Sequence, residues 1–324
     1  MLGEIELLEF INENLEQSFY KVLEENYSEN SQYDYLILFS GGKDSTYLVH
    51  IFKQIKSGRV CLFMLDNGYD SDLTINNVRK LARELECDLY IQSLDVKTLN
   101  GFYSFLLTQK EFLKIDSNPL CFFCSKLFCA LGVKFASKMN IPIVINGASA
   151  EQIALGNTLA SSYEIKMFEK LTEIKYKKII KMLDELPVTL ENENIKKYFD
   201  KIFNMPKNVK LLYPYLYLKY DIDDIKKRLE EKYNWSDPTE QFSNEEYWSS
   251  GCKLVTLLGK FNQLVDGFSS HEEKQIEREY ETGTMSKTAY DSWKQHNEMW
   301  KYSELSGEDK MIIKKLGINK GDVR

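Results

Sequence analysis

Hydrophobic and polar positions follow two rhythms along the first half of this chain. Short, mainly apolar stretches at residues 35–39, 59–65, 88–94 and 141–145 read as strands. Between them the apolar positions recur with helical period. Residues 4–27 carry Ile5, Leu8, Ile11, Leu15, Phe19, Val22 and Leu23 on one side of a helix. The stretch after residue 42 does the same through Tyr47, Leu48, Ile51 and Phe52, and residues 121–139 through Phe128, Leu131, Phe135 and Met139. Helices over 73–85 and 98–113 complete the alternation. Strand alternating with helix at this spacing predicts βαβ units and an α/β fold with a doubly wound parallel sheet. Ligands of such sheets sit beyond the carboxyl ends of the strands, near the point where strand order reverses.

Beyond about residue 156 the pattern changes. The chain to 210 is rich in Lys, Glu, Ile and Tyr with helical period, and reads as a helical insertion. Its lysines, Lys175, Lys177, Lys178 and Lys181, read as a solvated face balanced by glutamates rather than as a phosphate site. Residues 211–220 are strand-like or irregular, their alternating tyrosines a half-buried surface. Asp221 caps a helix over 222–233, and the rest is helical with Trp235, Trp248, Trp293 and Trp300 as packing anchors. The division is an N-terminal helix (1–30), a nucleotide domain (31–156), and a mainly helical substrate-binding region (157–324) that carries Cys252 back to the active site.

The junction between the first strand and its helix carries the clearest chemistry. Ser40-Gly41-Gly42-Lys43-Asp44-Ser45 lets the backbone turn sharply and approach a ligand closely. The free N–H groups of the new helix's first turn point at that ligand, with the positive end of the helix dipole behind them. Ser40, Lys43 and Ser45 add donors, so the junction is an anion site, best suited to a nucleotide phosphate chain. The Walker spacing is absent. Asp66, Asn67, Gly68, Asn146 and Gly147 end neighbouring strands at the same edge, where adenine, ribose and α-phosphate would lie.

Cysteine supplies the second motif. Cys121-Phe-Phe-Cys124 opens a helix, where the dipole favours thiolates, and Cys252 follows Gly251 far along the chain. Structural zinc takes four ligands, and only one Cys-x2-Cys pair is present. That suits either three thiols holding something with an open position or a reactive cysteine with a partner. Cys61 and Cys87 read as small buried hydrophobes, Cys129 as either core or site, and His50 as packing.

Composition narrows the setting. With 43% hydrophobic and 28% charged residues over 324 positions, the chain is that of a globular protein. A net charge of −7 disfavours tRNA as partner. The acidic N-terminus lacks a signal-peptide core, no apolar run approaches the roughly 18 residues of a membrane span, and six cysteines without a secretion signal fit the cytoplasm.

Ser-Gly-Gly-Lys-Asp-Ser at 40–45 resembles the PP-loop of the N-type ATP pyrophosphatase superfamily, whose fold is adenine nucleotide alpha hydrolase (HUP)-like. Two branches are similar. In the N-acetyl sugar amidotransferase-like group the loop is followed by a Cys-x2-Cys segment and a strand ending in Gly, here 118–124 and 141–147. Residues 220–238, 251–254 and 281–286 resemble that group more loosely. In the tRNA 2-thiolation enzymes a Cys-x2-Cys and one later Cys hold an iron–sulfur cluster or relay sulfur, matching Cys121, Cys124 and Cys252 in order. The resemblance implies ATP and Mg²⁺, cleavage to AMP and pyrophosphate, and AMP left on a substrate oxygen. It implies nucleotide contacts at Ser40, Gly41, Gly42, Lys43, Asp44, Ser45, Asp66, Asn67 and Gly147. Catalytic roles fall to Lys43, Cys121, Cys124 and Cys252, the cysteines holding a [4Fe-4S] cluster or Zn²⁺ or carrying a persulfide.

There are departures. No cysteine precedes Cys61, no glutaminase domain is present, and no basic RNA-binding module stands out. The combination implies an enzyme that adenylates a carbonyl oxygen of a small molecule, such as a purine nucleotide, and replaces it with sulfur. The alternative is an amidotransferase acting on a nucleotide-activated or acetamido sugar. The partners implied are a cysteine desulfurase as sulfur donor or a glutaminase as ammonia donor, with a homodimer also open.

Overall fold

A computed structural model gives the fold. It describes residues 16–27, 30–55, 58–113, 118–148, 173–186, 189–219, 221–236, 251–265, 268, 271–281, 283 and 285–318. Residues 4–15 of the first expected helix and Trp248 lie outside these.

Five parallel strands form one sheet in the order β3-β2-β1-β4-β5. They are β1 (Tyr35–Leu38), β2 (Val60–Asp66), β3 (Asp88–Ser93), β4 (Ile143–Ile145) and β5 (Lys210–Leu212). Tyr35 lies opposite Val60 on one side and Ile143 on the other. The chain builds outward from β1 to β3, then returns across β1 to place β4 on its far side. Strand order therefore reverses between β1 and β4, and a crevice opens at their carboxyl ends. The doubly wound parallel sheet is the one the sequence predicts. Its edge strand β5 comes from the region after residue 157, so the later part of the chain completes the sheet.

Each central strand is buried on both faces, which is why it reads as an unbroken apolar run. Alternate residues pack on opposite layers. Leu36, Leu38, Cys61, Phe63 and Val144 face the helices Val96–Thr108, Pro119–Lys138 and Leu190–Phe203, where Phe102, Phe112, Phe123 and Phe199 pack ring on ring. Ile37, Phe39, Leu62 and Ile145 face the helices Lys43–Phe52, Asp72–Glu84 and Ile222–Tyr233. β3 at the other edge is largely exposed.

Local chemistry sets the boundaries. Asn118 accepts the Cys121 N–H and Pro119 occupies the first helical turn, so this helix begins two residues before the expected start. Asp95 caps the helix Val96–Thr108 through the Thr98 N–H, and Gln109, in extended conformation, ends it before a short helix Lys110–Leu113. The expected single helix over 98–113 is therefore two. Gly132 sits so close to β1 that a Cβ there would collide with the Leu38 side chain. By length and composition alone Pro119–Lys138 could cross a membrane, but over half of it is buried in the fold. Tyr213, Tyr215 and Tyr217 are buried rather than half-buried, because the 3-10 turn Pro214–Leu216 folds the segment back against the sheet layers. Among the insertion lysines, Lys178 pairs with Glu111, in keeping with a solvated face.

Candidate active site

The loop after β1 enters the crevice as its first wall. Gly41 has φ +75°, a region that L side chains rarely adopt, and a Cβ there would lie 2.7 Å from Val78 Cγ2 on the helix Asp72–Glu84. Gly42 is the N-cap of the helix Lys43–Phe52 and, being glycine, supplies no side-chain cap. The N–H groups of Lys43, Asp44 and Ser45 therefore have no carbonyl to meet within the helix, the arrangement that makes a helix start suited to an anion. The Ser40 and Ser45 hydroxyls sit 3.3 Å apart across the turn. Lys43 Nζ lies 2.9 Å from Asp44 Oδ2, both side chains more than four-fifths buried, so a cation is already fixed at the mouth of the loop. Gly147, just beyond β4, forms the second wall. Its Cβ position is 3.4 Å from the Ser45 nitrogen, so only a small residue leaves that N–H open.

Two side chains from the later chain support the loop from behind. Trp235 Nε1 donates to the Gly41 carbonyl at 3.1 Å, and the Tyr215 hydroxyl donates to the Asp44 carbonyl at 2.8 Å. Sequence reasoning assigned Trp235 to packing and Tyr215 to a surface. Neither had a signal to connect it with a loop some 170 to 190 positions earlier.

At the end of β2 the side chains serve a different neighbour. Asp66 accepts from the Gly68 N–H at 2.9 Å and from Ser93 Oγ at 3.0 Å. Asn67 accepts from the Tyr69 N–H at 2.8 Å and places its amide 3.6 Å from Cys252 Sγ. An isolated antiparallel bridge pairs Asp70 with Cys252. The Lys253 N–H donates to the Tyr69 carbonyl at 2.8 Å and the Ser71 N–H to the Gly251 carbonyl at 3.0 Å. Backbone pairing thus brings Cys252 to the end of β2. The Asn67 amide lies between the end of β2 and the Cys252 thiol.

The thiols gather around Tyr103. Its buried hydroxyl lies 3.0 Å from Cys124 Sγ, and Cys121 and Cys252 are close enough to push its ionisation further upward. The N-terminal position was expected to favour thiolates at Cys121 and Cys124. Burial instead pushes Cys124 up to about 11, with Tyr103 opposing and Asp70 reinforcing. Cys252 is also raised, by burial first and then by Asp70 and Cys124. Desolvation outweighs the dipole because the thiols face a phenol and a carboxyl group rather than a cation. Asp70 is itself raised to about 7, by desolvation and then by Asp66. It is the titratable group that sequence reasoning missed. Nothing in Gly68-Tyr69-Asp70 marks it until Cys252 pairs with it.

Among the described residues no group of three His, Cys, Asp or Glu side chains is arranged to hold a metal ion. Cys121, Cys124 and Cys252 are neighbours without forming a ligand set, so the donor geometry does not fit the expected [4Fe-4S] cluster or Zn²⁺. Cys129 accepts from Asn146 Nδ2 at 2.9 Å and is buried, with its thiol pushed up to about 11. It belongs to the core side of its helix. Cys61 is buried in β2 and raised to about 12. His50 packs against Tyr233, 2.7 Å from its hydroxyl, and is lowered to about 4 by burial.

No family model matches the sequence. Over 180 residues the chain is 26% identical to an uncharacterised protein of Methanocaldococcus jannaschii, covering 54% of this chain and 60% of that one. The chain thus spans three fifths of that relative's length. Among solved structures it is similar to an ammonia-dependent NAD synthetase from Campylobacter jejuni, at TM-score 0.32 and 15% identity over 59% of this chain and 96% of that one. An NMN synthetase from Francisella tularensis gives 0.32 and 15% over 60% and 96%. A U34-tRNA thiolase from Methanococcus maripaludis with its [4Fe-4S] cluster gives 0.40 and 16% over 91% and 82%. All three belong to the PP-loop ATP pyrophosphatase superfamily. At TM-scores below 0.5 these likenesses carry no weight of their own, and the fold stands on strand order and register.

Proposed function

We propose that this chain is an ATP pyrophosphatase of the PP-loop type that adenylates a carbonyl oxygen of a small molecule and replaces that oxygen with sulfur. The observation that carries the reading is one sheet edge with a glycine-rich helix N-terminus on one side and Cys121, Cys124 and Cys252 around Tyr103 on the other. The β- and γ-phosphates would rest on the N–H groups at Gly42–Ser45, with Lys43 offsetting the charge that develops as pyrophosphate leaves. Mg²⁺ bound with the triphosphate would add to that neutralisation, and Asp44 is the carboxylate at hand to hold it.

The chemistry divides into two displacements. In the first, the substrate carbonyl oxygen attacks the α-phosphorus, the α–β bond breaks, and pyrophosphate departs. In the second, sulfur reaches the enzyme as a persulfide on Cys121, delivered by a cysteine desulfurase or another persulfide donor. Its terminal sulfur attacks the activated carbon and AMP leaves with the oxygen. The product is then joined to Cys121 through a disulfide. Cys252 attacks the Cys121 sulfur, releasing the thiocarbonyl product and leaving an enzyme disulfide that an external dithiol must reduce. Asp70 takes the proton of the attacking thiol, which its neighbours hold protonated at rest. No step passes through a cluster or zinc, since the thiols form no ligand set.

One observation favours a second reading. Cys124 and Cys252 rest as neutral thiols, which would suit a purely structural role beside an ammonia-dependent amidotransferase. The test is ATP turnover to AMP and pyrophosphate over purine nucleotides, acetamido sugars and bulk tRNA, each with sulfide or ammonium. Wild type and Cys121→Ser are compared, with thiocarbonyl product measured from a persulfide donor. Sulfur-containing product lost in Cys121→Ser supports the proposal. Product formed from ammonium and unaffected by that substitution overturns it in favour of amide transfer.

A further inference from the structure

We infer that Trp235 and Tyr215 are positioning residues of the phosphate loop, setting the direction of its N–H donors from the side opposite the ligand. The inference rests on the pyrophosphatase reading and deepens it. The carbonyl of one residue and the N–H of the next share a peptide plane and point in opposite directions when the bond is trans. No cis peptide bond is present among the described residues. Trp235 Nε1 holds the Gly41 carbonyl at 3.1 Å, so the Gly42 N–H points away from the indole, toward the mouth of the loop. There its neighbour is Ser40 Oγ, at a weak 3.4 Å that an anion can replace. Tyr215 braces a second donor of the loop, the Ser45 N–H. Its hydroxyl holds the Asp44 carbonyl at 2.8 Å, and the Ser45 N–H on that peptide faces the Gly147 side of the crevice.

The need for such support follows from the loop's own sequence. Gly41 and Gly42 permit the turn, but glycine peptides rotate freely and no side-chain cap restrains them. Trp235 is nearly fully buried and is itself anchored. Asn234 takes a left-handed conformation to end the helix Ile222–Tyr233, and its carbonyl accepts from Lys80 Nζ at 3.0 Å. The Ser236 carbonyl accepts from Asn77 Nδ2 at 3.1 Å. Both donors lie on the helix Asp72–Glu84, whose Val78 limits the space beside Gly41. The indole is thus fixed to the same helix that confines the loop.

The test is equilibrium binding of ATP, inorganic pyrophosphate and adenosine to wild type, Trp235→Phe and Tyr215→Phe. Amide resonances of Gly42 and Ser45 are followed during the pyrophosphate titration. Tyr215→Phe keeps the ring and removes the donor, and Trp235→Phe keeps an aromatic side chain while removing the donor and part of the ring. We expect Trp235→Phe to weaken ATP and pyrophosphate by about tenfold, with adenosine unchanged within about twofold. The Gly42 amide response should be lost in Trp235→Phe and the Ser45 response in Tyr215→Phe. Equal losses for adenosine, as general loosening of the fold would produce, overturn the inference, and so does wild-type affinity for pyrophosphate in both variants. If Trp235→Phe does not fold, Tyr215→Phe decides by the same comparison. Failure of wild type to bind ATP or pyrophosphate would overturn the pyrophosphatase reading itself, and this inference with it.

Discussion

The two sides of the crevice achieve their chemistry by opposite means. The loop side is contiguous: six residues, 40–45, contain the turn, the open N–H groups and the cation. The thiol side is assembled from residues 66–70, Tyr103, the pair Cys121 and Cys124, and Cys252, joined by backbone pairing between Tyr69–Ser71 and Gly251–Lys253. The loop is built locally, because a helix start turns its first N–H groups away from any carbonyl of the same helix. Cys124 and Cys252 are held back at rest, because burial pushes both thiols upward. Anion binding can be encoded locally, since glycines and a helix start suffice. Control of a nucleophile depends on desolvation, which only the assembled fold provides.

Substitutions can separate the two sides. The largest effect is expected from Lys43→Ala, which removes the cation facing the leaving group and should cut ATP turnover by about 10²- to 10³-fold. The rate of thiol alkylation should not change, and a parallel loss of thiol reactivity would show that the sides are not independent. Cys252→Ser should leave AMP formation intact while lowering thiocarbonyl release by roughly 10²-fold. Intact mass spectrometry would then find substrate trapped on Cys121, and free product at the wild-type rate would remove Cys252 from the resolving step.

Asp70→Asn sharpens the contrast through pH. Asp70 is raised to about 7, so the folded protein keeps a proton that the unfolded chain releases near pH 4. Stability from this group is complete below about pH 4 and is lost as pH rises through 7. The asparagine variant should therefore gain thermal stability relative to wild type on going from pH 5 to pH 8. Its sulfur-transfer rate should lose the rise through pH 7 and fall about tenfold at pH 8. An unchanged pH profile would remove Asp70 from proton transfer. The smallest effect is expected from Gly132→Ala, where the new Cβ meets Leu38. It should cost about 1–3 kcal/mol of stability by denaturant titration and weaken both sides together, because its helix carries Cys121 and Cys124 across β1.

These contrasts also explain what the sequence made legible. β1 and β2 announced themselves as unbroken apolar runs because both their faces are covered, and Ser40–Ser45 lay at a strand-to-helix switch that few other arrangements produce. Strand order was not legible, and β5 showed only as part of a strand-like or irregular stretch, since three residues within a lysine- and tyrosine-rich stretch carry little periodicity. Cys121, Cys124 and Cys252 were visible as residue types, but their protonation was misjudged: helix position is local, whereas burial by Tyr103 and Asp70 is not. Trp235 and Tyr215 looked like packing for the same reason, their partners being backbone carbonyls far back in the chain.

The most direct test of the account is which phosphate bond breaks. ATP labelled at the α-phosphate, incubated with Mg²⁺, a persulfide donor and the substrate panel, would be resolved into AMP and ADP. The account predicts label in AMP with one pyrophosphate per AMP, dependent on Lys43 and on an acceptor. Label in ADP, with orthophosphate released, would contradict adenylation and the central claim with it.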